Sequence, residues 1–298
     1  MTTLDRDGVA VHYEVHGSGS RLPVLLSHGY GSSSAMWAGN LAALARDRLV
    51  VTWDIRGHGF SASPEDPALY SHAASVADMA AVLDACHIDR AAVGGLSLGG
   101  YLSLAFWLAH PERVGALLLF DTGPGYRSDA ARRRWNRWAE AQADALEAGT
   151  GGLSDSPEVR LGRHDRMGLA RAGRGILTQD TSHVIEALTR IDVPTLVLVG
   201  SDDHAFVDPA HYMATRIPGA TAVVLDGAGH AANLDRPAAF DRAVTAFLDG
   251  LGLTVFCFFS FFSYFFFFGI GSGAIESPFG TEAQPEENGT LAKRSSRN

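Results

Sequence analysis

A chain of 298 residues, 46% hydrophobic and 19% charged, is long enough for one large domain or two smaller ones, and for a buried pocket. The formal net charge of −9 and a pI near 5.7 repel a phosphate backbone, and no basic run or stacking-aromatic pattern argues otherwise, so nucleic acid is not an expected partner. Cys86 and Cys257 lie far apart with no CxxC pair, which argues against a disulfide framework or a cysteine zinc site, and the N-terminus lacks the basic start and apolar core of a secretory signal, so the expected compartment is the cytosol.

Asp7-Gly8, ahead of Val9-Ala10-Val11-His12-Tyr13, reads as a hairpin turn leading into a strand. Short apolar runs then recur along the chain. They cover residues 24–26 before His28-Gly29, 49–53 before Asp54, 91–93 before Gly94-Gly95, 116–120 before Asp121, 195–199 before Gly200 and 222–225 before Asp226. Between them lie segments with helical spacing. Val76, Met79, Ala80 and Leu83 recur at i, i+3, i+4, i+7. A second helix opens after Ser97 and is stopped by Pro111, and a last core helix begins at Pro237, carries Phe240, Val244 and Phe247, and ends near Leu251. Continuous apolar strands alternating with helices predict an α/β fold, with a mostly parallel sheet covered on both faces. Ligands of such folds bind at the carboxyl ends of the strands, so the Gly, Asp and His residues there matter.

Residues 122–190 break this rhythm, with helical signals and no good strand. Trp135, Trp138, Ala139 and Leu146 form an apolar stripe interrupted by Gln142, and Arg132, Arg133, Arg134 and Arg137 flank it as a solvated basic face. The segment reads as a helical insertion over the active edge of the sheet, where both tryptophans are expected to bury.

Gly95-Leu96-Ser97-Leu98-Gly99 fits the pattern G-x-S-x-G. Its context gives it weight: it follows an apolar strand and opens a helix carrying Tyr101, Leu102, Leu104 and Phe106. A nucleophile on a sharp strand-to-helix turn needs small neighbours to relieve crowding, and the helix N-terminus offers free N–H groups to a developing oxyanion. A serine hydroxyl also needs a base, and the base needs an orienting acid. His230, in the Gly-rich loop after the last strand, is the candidate base. Asp202 and Asp203, after the preceding strand, are candidate acids, with Asp121 a third. The expected oxyanion donors are the backbone N–H groups of Leu98 and of Tyr30, the latter in the loop His28-Gly29-Tyr30-Gly31.

Together these residues resemble the α/β-hydrolase superfamily. The resemblance rests on His28-Gly29, the loop Asp54-Ile55-Arg56-Gly57-His58-Gly59-Phe60-Ser61, the turn at Ser97, Gly200 to Asp203, and Gly229-His230, in the order Ser, Asp, His. It spans roughly residues 3–251. It implies the α/β-hydrolase fold, with a core of residues 1–121 and 191–251 and a short helical cap of residues 122–190. The family's acid falls three residues after the glycine closing its strand, which selects Asp203. The family's Asp-x-Arg-Gly-x-Gly-x-Ser loop is mostly structural, so Arg56 and His58 take no catalytic role. Small bacterial esterases, enol-lactonases and meta-cleavage-product hydrolases look most similar. Ser97 stands where epoxide hydrolases and haloalkane dehalogenases carry Asp, and their alkyl-ester chemistry is therefore not expected. The implied reaction is hydrolysis of a small-molecule carboxylic ester or lactone through an acyl-enzyme, without metal or organic cofactor. A C–C bond hydrolase of ring-fission products, or a slow-turnover ligand receptor, would use the same residues.

The C-terminus departs from the rest. Gly250 to Ile275 contains no charged residue, and residues 255–268 hold nine of the chain's 16 phenylalanines. The apolar segment 252–275 is long enough for a membrane anchor. Its other reading is a foreign extension or gene-model artefact, because Lys293, the only lysine, lies beyond it while the body uses arginine alone. Residues 276–298, rich in Pro, Glu, Ser and Gly, read as disordered.

Overall fold

The structure, a computed structural model, describes residues 2–265, of which 252–265 are described as backbone alone. An eight-stranded sheet runs through it. Its strands are β1 (Thr2–Arg6), β2 (Val9–His16), β3 (Val24–Ser27), β4 (Val50–Trp53), β5 (Ala91–Leu96), β6 (Val114–Phe120), β7 (Thr195–Gly200) and β8 (Thr221–Leu225), in spatial order β1-β2-β4-β3-β5-β6-β7-β8. β1 and β2 pair antiparallel, as do β2 and β4, and every pairing from β4 across to β8 is parallel. The mostly parallel sheet expected from the apolar runs is therefore present, with an antiparallel hairpin at one edge.

Side chains alternate between the two faces, as the strand period of two requires. Leu25, Val93, Leu117, Leu119 and Val197 join one core, and Leu26, Ala92, Leu118, Phe120 and Leu198 join the other. The first core is covered by α2 (His72–Ala85) and α3 (Leu98–Ala109), which contribute Met79, Leu83, Leu102 and Phe106. The second is covered by the short α1 (Leu41–Leu44) and by α10 (Pro237–Phe265), through Leu44, Phe240, Val244 and Leu248. Phe120 and Phe240 meet edge to face with ring centroids 4.8 Å apart.

The chain passes from β3 outward to β4, then returns to place β5 on the other side of β3. Such a reversal leaves a crevice at the strands' carboxyl ends, where the loop after β3 and the turn after β5 meet.

Between β6 and β7 lie α4 (Asp129–Ala148), α5 (Pro157–Arg160), α6 (Arg166–Ala172) and α7 (His183–Ala187). Ser128 caps α4 by accepting the Ala131 N–H, and Gly149, in the left-handed region at φ 71°, ends it. Asp165 caps α6 by accepting the N–H groups of Met167 and Gly168. On α4, Ala139, Ala143 and Leu146 are buried at helical spacing, while Arg133, Arg134 and Arg137 are exposed. Trp138 corrects the expectation from sequence. It is 47% exposed and packs against the half-buried Trp135 with ring centroids 4.8 Å apart, because it borders a cavity and does not enter the core.

After β7 come α8 (Val207–Arg216) before β8, and α9 (Ala232–Asp235) and α10 after it. The helical backbone of α10 extends to Phe265 and does not stop near Leu251, since Gly250 and Gly252 alone are weak breakers and no proline lies between them and Phe265. Among the described residues no helix is long and apolar enough to cross a membrane. The anchor reading of 252–275 falls beyond the described side chains, and the disordered-tail reading of 276–298 lies wholly outside the described residues.

Candidate active site

Ser97 sits between β5 and α3 at φ 55° and ψ −116°, a conformation that L side chains rarely adopt and that costs of order 1–3 kcal/mol. Neighbouring hydrogen bonds hold it there. Its N–H donates to Phe120 O at 2.9 Å, and its carbonyl accepts from Thr122 Oγ1 at 2.6 Å. The flanking glycines follow from crowding. A Cβ on Gly95 would lie 2.4 Å from Ser27 O, and one on Gly99 2.3 Å from the same atom.

His230 reaches the site through a stitched pair of loops. Ser201 N–H donates to Leu225 O and Asp202 N–H to Ala228 O, both at 2.9 Å, and Gly229 N–H donates to Asp235 Oδ2 at 2.8 Å. Gly200 must be glycine, because a Cβ there would meet Ala228 O at 2.3 Å. His230 Nδ1 lies 2.8 Å from Asp203 Oδ2, and Phe206 stacks on the imidazole at 5.0 Å. Burial lowers the affinity of the imidazole for its proton, but the hydrogen bond and charge of Asp203, with Asp121 and Glu158, outweigh it and hold His230 above its ordinary value.

The three candidate acids are thereby separated. Asp203 is buried against His230. Asp202 is exposed and accepts only from Ser201 Oγ, at 2.9 Å. Asp121 is buried behind the histidine loop. Its Oδ1 accepts the Gly200 N–H at 2.8 Å, and its Oδ2 lies toward the Ala232 N–H without a well-formed hydrogen bond.

On the opposite side stands the loop after β3. His28 is buried, with Nε2 3.0 Å from the Ile55 N–H. An amide can only donate, so Nδ1 carries the proton and donates to Gly29 O at 2.7 Å. In a trans peptide the C=O and N–H point in opposite directions, so fixing the Gly29 carbonyl on His28 turns the Tyr30 N–H away from that ring. The Leu98 N–H is the first amide of α3 and has no intrahelical acceptor.

The loop from Asp54 to Ser61 braces this arrangement. Asp54 accepts the N–H groups of Ser34 at 2.6 Å and Phe60 at 2.8 Å. Arg56 grips Asp78 through two hydrogen bonds of 2.6 and 2.8 Å. His58 is buried, and burial with the nearby His28 lowers it to about 3, so it stays neutral.

Gly29, Tyr30, Ser97, Leu98 and His230 all line one cavity of about 490 Å³. Its other walls include five aromatic residues, Tyr101, Tyr126, Trp135, Trp138 and Phe206. Two residues that the sequence does not single out belong here. Phe206 gives no signal beyond its place three residues after Asp203. Glu158, at the start of the short α5, reads as an ordinary first-turn acid. Among the described residues no cluster of three or more His, Cys, Asp or Glu side chains could hold a metal ion.

A parallel sheet with a strained serine turn at its switch point and an imidazole–carboxylate pair opposite defines a class of hydrolase. The alpha/beta hydrolase family model matches residues 24–243, and the chain belongs to that family. It is similar to the 3-oxoadipate enol-lactonase 2 of Acinetobacter baylyi, with 28% identity over 262 residues covering 82% of this chain and 95% of that protein. Among solved structures it is similar to a hydrolase from Pseudomonas aeruginosa, with TM-score 0.70, 30% identity and coverage of 83% and 97% of the two chains. The enol-lactonase from Burkholderia xenovorans aligns with TM-score 0.68 and 27% identity, over 83% of this chain and 100% of that one.

Proposed function

We propose that this hydrolase cleaves a carboxylic ester or lactone of a small molecule, with Ser97 as nucleophile, His230 as general base and acid, and Asp203 as the orienting carboxylate. The observation that carries the reading is the 2.8 Å contact between His230 and Asp203 on the wall of the cavity that also holds Ser97. Nδ1–H donates to Asp203, which leaves Nε2 free to take the Ser97 proton. Ser97 Oγ attacks the carbonyl, and the oxyanion is received by the Tyr30 and Leu98 N–H groups. His230 then protonates the leaving alkoxide. Water, activated by the same imidazole, attacks the acyl-enzyme, and the acid departs with Ser97 restored. Every proton in this sequence moves through His230, so the scheme calls on no metal or organic group. Residues 122–190 act as a cap shaping the pocket over a core of residues 1–121 and 191–251. The enol-lactonases among the similar proteins support the ester and lactone class.

The test is hydrolysis of p-nitrophenyl butyrate by the full chain beside its Ser97→Ala variant. The rate is expected to fall by roughly a thousandfold or more in the variant. Equal rates in both would remove Ser97 from the mechanism.

A further inference from the structure

The cavity wall holds one carboxylate that carries no proton in the mechanism. Glu158 is 3% exposed and lines the cavity beside Ser97 and His230. Its Oε1 accepts the Ser156 hydroxyl, while its Oε2 is buried with no hydrogen-bond partner. The main chain of α5 fixes the residue next to the loop after β3, since Glu158 O accepts Ser32 Oγ at 2.8 Å. A buried carboxylate oxygen without a donor is costly, and such a group is explained best by a ligand that completes it.

The rest of the lining says what that ligand carries. Among the described residues no arginine lines the cavity, and Glu158 is the one carboxylate that does. An anionic substrate would meet a like charge, and the one basic side chain on the wall, His230, must be neutral to act as the base. A cation would meet a carboxylate in a cavity also lined by Tyr126, Trp135 and Trp138, aromatic rings of the kind that attract positive charge through their quadrupoles.

We infer that the substrate bears an alkylammonium group whose N–H is received by Glu158, so that the enzyme is selective for cationic esters over neutral and acidic ones. The inference rests on the esterase reading above. In the reaction itself, an aminoalkyl ester and water give the free acid and an amino alcohol, with the nitrogen retaining its proton throughout.

Three acetate esters of matched shape test this. Dimethylaminoethyl acetate is cationic at neutral pH, isoamyl acetate replaces the nitrogen by carbon, and acetoxypropanoate carries a carboxylate at that place. For the full chain, kcat/KM is expected to rank cation, neutral, anion, with the first about tenfold or more above the second, the size of a charge-assisted hydrogen bond to a desolvated group. In Glu158→Gln, which keeps the acceptor for Ser156, the cation-to-neutral ratio is expected to fall toward one. The same ratio in both enzymes, or an anion preference, overturns the inference, and the wild-type ranking stands even if the variant fails to fold. Calorimetric titration with dimethylaminoethanol gives a readout independent of turnover. Binding weakened about tenfold in Glu158→Gln supports the site even if no ester is cleaved. Equal affinity in both proteins, or no binding to either, sinks it. Wild-type turnover with no preference for the cationic ester refutes this inference alone, whereas turnover insensitive to Ser97→Ala refutes the esterase reading.

Discussion

Replacing Asp121 with Asn isolates one buried charge behind the histidine loop. Asp121 is fully buried at φ 44°, and its Oδ1 accepts the Gly200 N–H at 2.8 Å. Burial pushes its carboxyl from 3.8 up to about 7, and the Asp203 charge adds to this, against the lowering effects of the Gly200 N–H and of His230. A shift of that size corresponds to about 4 kcal/mol. The folded state holds the proton more tightly than the unfolded state. Asp121 therefore contributes its full stability below the usual carboxylate range, and that contribution is lost as pH rises through about 7. Asparagine retains an acceptor for Gly200 and tolerates a positive φ, but it does not ionise. Asp121→Asn is expected to be within about 1 kcal/mol of wild type at about pH 4 and more stable by up to about 4 kcal/mol at about pH 8. The gain is trimmed by the favourable charge that His230 loses. Urea unfolding across this range, with equal m-values in both proteins, measures the difference. A difference that stays constant with pH would refute the argument.

Asp203→Asn should cost roughly 10⁴ in kcat by unsettling the His230 tautomer, while Asp202→Asn leaves kcat unchanged, and steady-state kinetics on an activated ester separates the two. A comparable loss in both variants would return the choice of acid to the open state it has in the sequence. Gly99→Ala places a methyl group 2.3 Å from Ser27 O, a backbone atom, and is expected to lower stability by about 1–3 kcal/mol or more. An unchanged urea midpoint would show that the close approach of α3 to β3 is not what demands glycine.

The central strands were legible because they are buried on both faces and so read as unbroken apolar runs, as in Thr195–Gly200. The Ser97 turn was legible because crowding leaves it so few permitted neighbours. The acid was harder. Asp202 and Asp203 are adjacent, and only the hydrogen bond to His230 distinguishes them by geometry. Within residues 122–190 the sequence signals fade, because short helices such as Pro157–Arg160 owe their form to packing more than to propensity. Trp138 shows the same limit from the other side. Its size argues for burial, and only the position of the cavity explains why half of it remains open. Glu158 carries no signal at all, since an acid after Ser-Pro at a helix start is commonplace and its burial depends on elements distant in sequence.

One short relay of hydrogen bonds has a wider bearing. Ser97 N–H reaches Phe120 O, Asp121 N–H reaches Leu198 O, and Gly200 N–H returns to Asp121 Oδ1. The serine turn is thus coupled to the strand that leads to Asp203 through the last residue of β6 and the one after it, before the inserted helices begin. The spacing of the proposed reacting groups is thus set by peptide geometry outside the segment that walls the pocket. On the proposed reading, the segment beyond Thr122 can then be exchanged for another set of helices, altering which molecules are admitted, while the chemistry beneath keeps its alignment. A graft joined after Thr122, whose hydroxyl still holds the Ser97 carbonyl, preserves that division of labour.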